Sequence, residues 1–293
     1  MPKAVGPDPT IHRRRLRSEL CSAREAAGMT QREVAAAMDW SQSKLIRIES
    51  GAVNIRTNDL RVLLSHYGTD SARIDALVDI ARLARAPTPW SIYKDVASPE
   101  YLSFLGYESS ASLIRNFEPL FVPALLQTEE YARAAISISE AHNPQKIDSL
   151  VDLRMQRQEV LVREPVPRCY FIMDEAVIRR VTGGRDVMRR QLRQLRTLAE
   201  YPNVTIGIVP FGQGIYPHLH APYVLFEFPN LEDGDVLCVE YPQGQYIVQE
   251  SSASEEGNDS PVRYLQIFWG LEQIARSEDT MQFLQDAIDR LQD

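Results

Sequence analysis

The sequence has little of what metal sites, disulfide scaffolds and membrane spans are built from. Its 293 residues include 3 cysteines and 5 histidines. Cys21, Cys169 and Cys238 lie far apart, with no C-x-x-C pair. An odd count at that spacing excludes a disulfide framework and predicts buried free thiols in a reducing cytoplasm. His218 and His220 stand two apart in a proline-flanked loop without a neighbouring cysteine, so neither a metal nor another cofactor is expected. No apolar run approaches the ~18 residues of a membrane-spanning helix. The opening stretch, MPKAVGPDPTIHRRRLRSEL, has no apolar core of the secretory kind.

Catalytic signatures are also missing. There is no phosphate-binding glycine loop, dinucleotide fingerprint or nucleophile–base–acid order. Asp174-Glu175 could be a carboxylate pair, but an Asp at a strand end reads better as the N-cap of a following helix. Gly183-Gly184-Arg185-Asp186 could form an anion-binding turn, for which two glycines alone are weak support. The expectation is a cytoplasmic protein that is not an enzyme; a hydrolase built on the second half is the least favoured reading.

What the sequence does have is an uneven charge. The net charge is −8. Residues 1–86 carry 14 Lys/Arg against 10 Asp/Glu, and residues 87–293 carry 18 against 30. A basic end on an acidic body suggests that only the basic end meets a polyanion. The length allows two domains. The prolines of "ARAPTPW" (84–90) mark the break: residues 1–86 as the first domain, 87–100 as linker, 101–293 as the second.

In the first domain, Leu16, Leu20, Ala23 and Ala27 recur at helical spacing, with Thr10 as a candidate N-cap and Gly28 as the stop. Arg13, Arg14, Arg15 and Arg17 put positive charge near the start of this helix. Thr30 and Glu33 have capping-box spacing before Val34, Ala35 and Met38. Asp39-Trp40-Ser41 breaks the pattern, and a third helix follows with Leu45 and Ile48 inward and Gly51 as a left-handed stop. Leu60, Leu63, Leu64 and Tyr67 mark a fourth helix; Ile74, Leu77, Val78 and Ala81 mark a fifth.

The marks Thr30-Gln31, Glu33, Ala35, Leu45 and Ile48-Glu49-Ser50-Gly51 resemble the helix–turn–helix of the lambda and 434 repressor and Cro class, also called the xenobiotic-response-element family. The similarity runs from about Arg15 to Tyr67. Asp39 stands where that family usually has glycine; Asp tolerates a left-handed backbone. The resemblance implies that the helix after the break enters the major groove of a double-stranded DNA operator, with Gln42, Ser43 and Arg47 at the base-reading positions. Gln31 begins the preceding helix, where side chain and helix N-terminus can both meet a phosphate. Lys44, Asn54 and Arg56 are further phosphate candidates. Glu49 has the wrong sign for DNA and is expected to pair internally.

The second domain reads as helical from Tyr101 to Ile136, with an interruption at "NFEPLFVPALLQTEEYARAAI" and a helix start at Gln127–Glu130. An amphipathic helix over "KIDSLVDLRMQRQEVLVR" leads to a strand, "RCYFIMDE". A short helical turn (Val177–Val181) and the helix "DVMRRQLRQLRTLAEYP" precede the strands "VTIGIVP", "YVLFEF" and "VLCVEY", and two helices end the chain. The expected fold is thus a mainly α, five-helix N-terminal helix–turn–helix domain and an α+β C-terminal domain with a mixed or antiparallel sheet. "FEPLFVPALLQTEEYARA", "FIMDEAVIRR", the glycine pair before "MRRQLRQL", and "IVPFGQG" resemble the C-terminal domain of unknown function in actinobacterial regulators of WhiJ type. That resemblance implies a small partner protein encoded nearby. The overall expectation is a sequence-specific transcriptional regulator whose second domain dimerises and binds a partner protein or ligand. The alternative is the antitoxin-like half of a two-protein module that autoregulates its operon. A homodimer is expected because one such head buries too little surface for tight specific binding.

Overall fold

The computed structural model describes residues 8–140, 143–241, 244–249, 260–275 and 277–291. Residues 1–7, the first part of the stretch read above for a secretory signal, lie outside them. The chain divides into two compact units, Met1–Ser91 and Ile92–Asp293. Pro89–Tyr93 forms a turn of 3-10 helix. Thr88 donates its hydroxyl to Asp8 Oδ2 at 2.9 Å, which ties the chain through this point to the first unit.

The first unit is five helices: α1 (Thr10–Ala26), α2 (Gln31–Ala37), α3 (Gln42–Glu49), α4 (Thr57–His66) and α5 (Ser71–Leu83). Its core is the periodic apolar set: Leu20, Val34, Leu45, Leu60, Leu63, Leu64, Leu77 and Val78 are all buried in one cluster. The punctuation is local. Thr30 and Glu33 form a reciprocal capping box on α2, Ser41 caps α3, and Asp70 caps α5. Gly28 (φ 68°), Asp39 (φ 53°) and Gly51 (φ 78°) take the left-handed backbone that ends α1, α2 and α3. One cap differs from expectation. Thr10 is the first helical residue, behind Pro9, and its N–H donates to Asp8 Oδ1 at 2.8 Å. Proline presets a helical φ there, and the Asp carboxylate two residues before Thr10 does the hydroxyl's work. The arginine cluster is also spent differently. Arg14 is buried, and Arg13 donates to the Ala84 and Ala86 carbonyls, where α5 ends and needs positive charge.

The second unit contains α6 (Pro99–Ser110), β1 (Leu113–Glu118), α7 (Glu129–Ser139), α8 (Pro144–Arg157), β2 (Arg168–Asp174), α9 (Glu175–Arg179) and α10 (Arg185–Leu198). These are followed by β3 (Val204–Val209), β4 (Tyr223–Glu227), β5 (Val236–Tyr241), β6 (Gly244–Gln249), α11 (Pro261–Ile274) and α12 (Thr280–Asp289). The six strands form a mixed sheet in the order β3-β2-β1-β4-β5-β6. β1, β2 and β3 run parallel; β4, β5 and β6 continue antiparallel from β1. The direction therefore switches at β1, in the middle of the sheet.

β1 and β6 are absent from the sequence-based expectation. β1 falls inside the stretch read as helical. It carries Arg115, Asn116 and Glu118, so it shows neither an apolar run nor a clean alternation. Its faces nevertheless alternate: Phe117 packs on one side with Tyr216 and Tyr223, at ring-centroid distances of 6.1 and 5.6 Å, and Ile114, Asn116 and Glu118 turn to the other. α11 covers the Phe117 face with Tyr264, Phe268 and Leu271. On the opposite face the Phe104 ring of α6 meets Phe226 edge-on at 5.3 Å. Buried Gln191 on α10 accepts from Thr128 N–H and donates to the Leu126 carbonyl, at 2.7 and 2.8 Å, which fixes the loop before α7. Cys169 and Cys238 are buried and Cys21 is half-buried. Burial pushes the Cys169 thiol up to about 12, which keeps it protonated and unreactive.

Two glycines separate backbone strain from packing. Gly183 sits at φ 73°, and a Cβ there would lie 2.9 Å from the Ala134 Cβ. Gly212 is open around its Cα, with ordinary φ. Gly183→Ala is expected to lower the urea-unfolding free energy by about 2 kcal/mol, and Gly212→Ala to change it by less than ~0.5 kcal/mol.

Candidate functional site

In the first unit the residues from α2 to α4 present one polar surface, and its footing is a buried carboxylate. Glu49, the last residue of α3, is 5% exposed. Its Oε1 accepts from Arg24 Nε of α1 at 2.8 Å, and its Oε2 from Gln31 Nε2 of α2 at 2.7 Å. The Glu49 hydrogen bond raises the Arg24 pKa against the opposing effect of burial. Three helices are thus pinned at one point; the pairing with a basic residue is the one expected from the sign of Glu49, while the bond from Gln31, read as a phosphate contact, was not. Leu45 and Ile48 bury the inner side of α3.

The outer side is left to solvent. Gln42, Ser43, Lys44 and Arg47 are all exposed, and Ser43 and Arg47 stand one turn apart. Among the described residues no hydrogen bond or ion pair holds the side chains of Gln42, Ser43, Arg47, Asn54 or Arg56. Lys44 and Gln31 differ. The Lys44 ammonium lies 3.7 Å over the Trp40 ring and 3.8 Å from Asp59, and the Gln31 amide is engaged with Glu49. Asn54 lies between α3 and α4, and Arg56 is the N-cap residue of α4, without a side-chain cap bond. Ile46, not singled out from the sequence, is 43% exposed on the same outward face. The signal was its i+4 position from Gln42 in a helix whose inward pair is Leu45 and Ile48.

The second unit encloses a cavity of about 550 Å³ between the β1–β4–β5 face of the sheet and α6, α7 and α8. Its inner wall is charged. Arg157 makes a two-point pair with Glu108, Nε–Oε1 and Nη2–Oε2 both at 2.8 Å, and Arg157 Nη1 donates to the Tyr101 hydroxyl at 2.6 Å. Burial works against the Arg157 charge, but Glu108 more than offsets it, so the guanidinium stays above its ordinary range. Arg154 donates Nη1 to Gln127 Oε1 at 3.0 Å, and its buried Nε has no partner among the described residues. Glu118 has no ion pair among the described residues. Burial, and the Glu240 carboxylate, push it well above the usual carboxylate range; Arg154, Asn116 and Arg157 offset this in part. Leu120, Phe121 and Ile138 also line the cavity and are 49%, 38% and 71% exposed.

The other sequence candidates take structural positions. Asp174 Oδ1 accepts from Ala176 N–H at 2.8 Å, the N-cap of α9, and its Oδ2 accepts from the Tyr216 hydroxyl at 2.6 Å. Glu175 binds Arg179 and the Phe211 N–H instead. The His218 and His220 rings stack with centroids 6.0 Å apart, and the described residues contain no group of His, Cys, Asp and Glu arranged to hold a metal. No helix among the described residues is long and apolar enough to cross a membrane. The charged cavity wall escaped sequence reasoning because β1, β5, α6 and α8 each supply only one or two of its residues.

A helix–turn–helix head with an exposed polar third helix, followed by an α+β unit with its own cavity, defines the chain as a helix–turn–helix regulator. Residues 15–77 match a helix-turn-helix domain family. Residues 101–286 match the domain of unknown function DUF5753, and the chain belongs to that family. No curated protein and no solved structure matches it.

The two classes of polar residue predict stability effects of very different size. Arg24→Ala strips a buried carboxylate of its cation and is expected to cost about 3 kcal/mol. Arg47→Ala removes an unpartnered exposed side chain and is expected to cost less than ~0.5 kcal/mol. Urea denaturation of both variants checks this.

Proposed function

We propose that the protein is a sequence-specific, DNA-binding transcriptional regulator of the xenobiotic-response-element type. In this reading residues 1–86 bind DNA, 87–100 are linker, and 101–293 dimerise and sense a small molecule or partner protein. The observation that carries it is the contrast across α3: a sealed inner side pinned through Glu49, and an outer side of Gln42, Ser43 and Arg47 with no partner among the described residues. Side chains without internal partners lose no intramolecular bonds on meeting base edges. Gln42 suits adenine and Arg47 suits guanine; Ile46 suits a thymine methyl. Gln31, Lys44, Asn54 and Arg56 contribute phosphate contacts in this reading, Lys44 after release from Asp59. The charge split supports it too, since the net +4 of residues 1–86 favours DNA and the net −12 of the remainder repels it.

Dimerisation through the second unit would supply two heads for two half-sites. Ile215 (93% exposed), Leu231 (95%) and Trp269 (50%) are apolar side chains on the second unit available to such an interface. The resemblance to WhiJ-type regulators supports a small protein as one partner. The cavity in the second unit supports a small-molecule effector as the other.

Arg47→Ala is expected to lose about 1–3 kcal/mol on the best duplex while random DNA is bound as before. Arg56→Ala is expected to weaken both equally and to reduce the salt slope by about one. Titrations of the full chain at several salt concentrations check both; equal losses for Arg47→Ala on the two duplexes would contradict base reading by α3. Sedimentation equilibrium of the full chain at about 10 µM is expected to give a dimer.

A further inference from the structure

The second unit carries one helix face whose charge runs against the rest of it. Residues 87–293 hold 18 Lys/Arg against 30 Asp/Glu, yet α10 alone holds five arginines and one aspartate. Its apolar side is buried in the unit through Met188, Leu192, Leu195 and Leu198. At about 100° per residue, the opposite side gathers Arg185, Arg189, Arg193 and Arg196 into one stripe, with Arg190 beside it. Arg185, Arg190 and Arg193 are exposed; Arg189 and Arg196 are half-buried. From Arg185 to Arg196 the stripe runs about 16 Å along the helix.

The unit answers these charges only in part. Arg189 pairs with Asp186, and Arg190 with Glu130 of α7 at 3.2 Å. Arg196 Nη1 donates to Gln285 Oε1 of α12 at 2.6 Å, a neutral partner. Among the described residues no hydrogen bond or ion pair holds the side chains of Arg185 and Arg193. The arrangement is unfavourable to the helix itself. Arg185 puts a cation in the first turn, at the positive end of the helix dipole. Arg185–Arg189 and Arg189–Arg193 are like charges four residues apart, which repel. A surface built for solubility alone would intersperse the two signs. A face that breaks both local rules and stays open to water is where a function is to be sought.

We infer that the outward face of α10 docks an acidic protein segment, whose Glu or Asp side chains recur about one helical turn apart and pair with Arg185, Arg189 and Arg193. The cations are all Arg, whose planar fork meets a carboxylate at two points. A carboxylate seated between two of them replaces their repulsion with charge-assisted bonds. The surroundings favour a narrow occupant. Exposed Glu130 borders the stripe beside Arg190, and exposed Asp289, which accepts from Gln285 at 2.8 Å, borders it beside Arg196. A broad polyanion such as duplex DNA would meet these carboxylates and the field of a unit with net −12, whereas a single polypeptide segment meets the arginines. The buried apolar side leaves α10 nothing to insert into a membrane surface. The inference rests on the reading that the second unit binds a partner protein, and it supplies that partner's charge and the helix it meets.

The test titrates three labelled peptides into the full chain by fluorescence anisotropy. They share one backbone of about 12 residues, the length of the stripe, and carry glutamate, glutamine or lysine at the same positions, four apart. The glutamate peptide is expected to bind at least about tenfold more tightly than the other two, the scale of several exposed ion pairs together, and to lose that lead as salt rises. The double variant Arg185→Glu, Arg193→Glu changes two exposed side chains without partners, so its urea midpoint is expected to stay where it was. Its preference is expected to turn to the lysine peptide. A glutamate peptide that binds no more tightly than the glutamine one overturns the inference, as does a glutamate preference that survives the double variant. Random duplex DNA is titrated alongside. A loss of duplex affinity in the double variant as large as the peptide's would make α10 a DNA contact and overturn the acidic-segment assignment. Affinity for the best duplex is then measured with the glutamate peptide bound. Peptide binding that leaves it unchanged upholds the docking face and overturns only the sensing role of the second unit.

Discussion

Everything proposed for the DNA-binding unit depends on one buried carboxylate. Glu49 closes α3 at the end where the helix already carries partial negative charge, which makes a buried anion doubly unfavourable there. Arg24 from α1 and Gln31 from α2 supply the compensation, and in doing so set where α3 stands against its neighbours. The two carboxylate oxygens are thus engaged with two different helices, so α3 cannot shift along either without leaving a buried carboxylate oxygen without its hydrogen bond. A reading helix needs that stiffness, because hydrogen bonds to base edges are directional and a displaced side chain reads nothing. The exposed side of α3 can then be chosen for DNA alone, since the inner side and the Glu49 pairing already hold the helix.

The second unit solves a different problem. Its sheet changes direction at β1, so the middle strand is parallel to β2 on one side and antiparallel to β4 on the other. One face of β1 is closed by aromatic packing under α11, through Phe117, Tyr223 and Phe268. The other face is not filled; it is walled by α6, α7 and α8 around a cavity. Leaving such a space costs packing, and placing Glu118 beside it costs desolvation. A chain built for stability alone would fill it with apolar side chains, and that contrast leads us to assign the space a ligand.

The sequence was most legible where local chemistry dictates structure. The Thr30–Glu33 capping box, the left-handed stops at Gly28, Asp39 and Gly51, and the periodic leucines each act within a few residues, so all five helices of the first unit could be read. Thr10 misled because Asp8 and Pro9 supply the cap and the preset φ just upstream. β1 was illegible for the reason it matters: a central strand that lines a cavity carries Asn116 and Glu118 where an ordinary one would carry Val or Ile. β6 carries only Tyr246, Ile247 and Val248 as β-formers, between glutamines and after a glycine, too short an apolar run to stand out. The role of Glu49 was readable from its sign, while its partners were not, since Arg24 and Gln31 meet it through tertiary packing. The cavity wall depends on register between strands distant in sequence, which no local pattern encodes.

Selection from a pool of random duplex DNA with the full chain, followed by sequencing of the bound fraction, tests the central claim most directly. The account predicts enrichment of a two-fold-symmetric site with half-sites about one helical turn apart, as two α3 helices in successive major grooves require. A bound fraction with no enriched sequence would mean that the outward face of α3 does not read bases, and would contradict it.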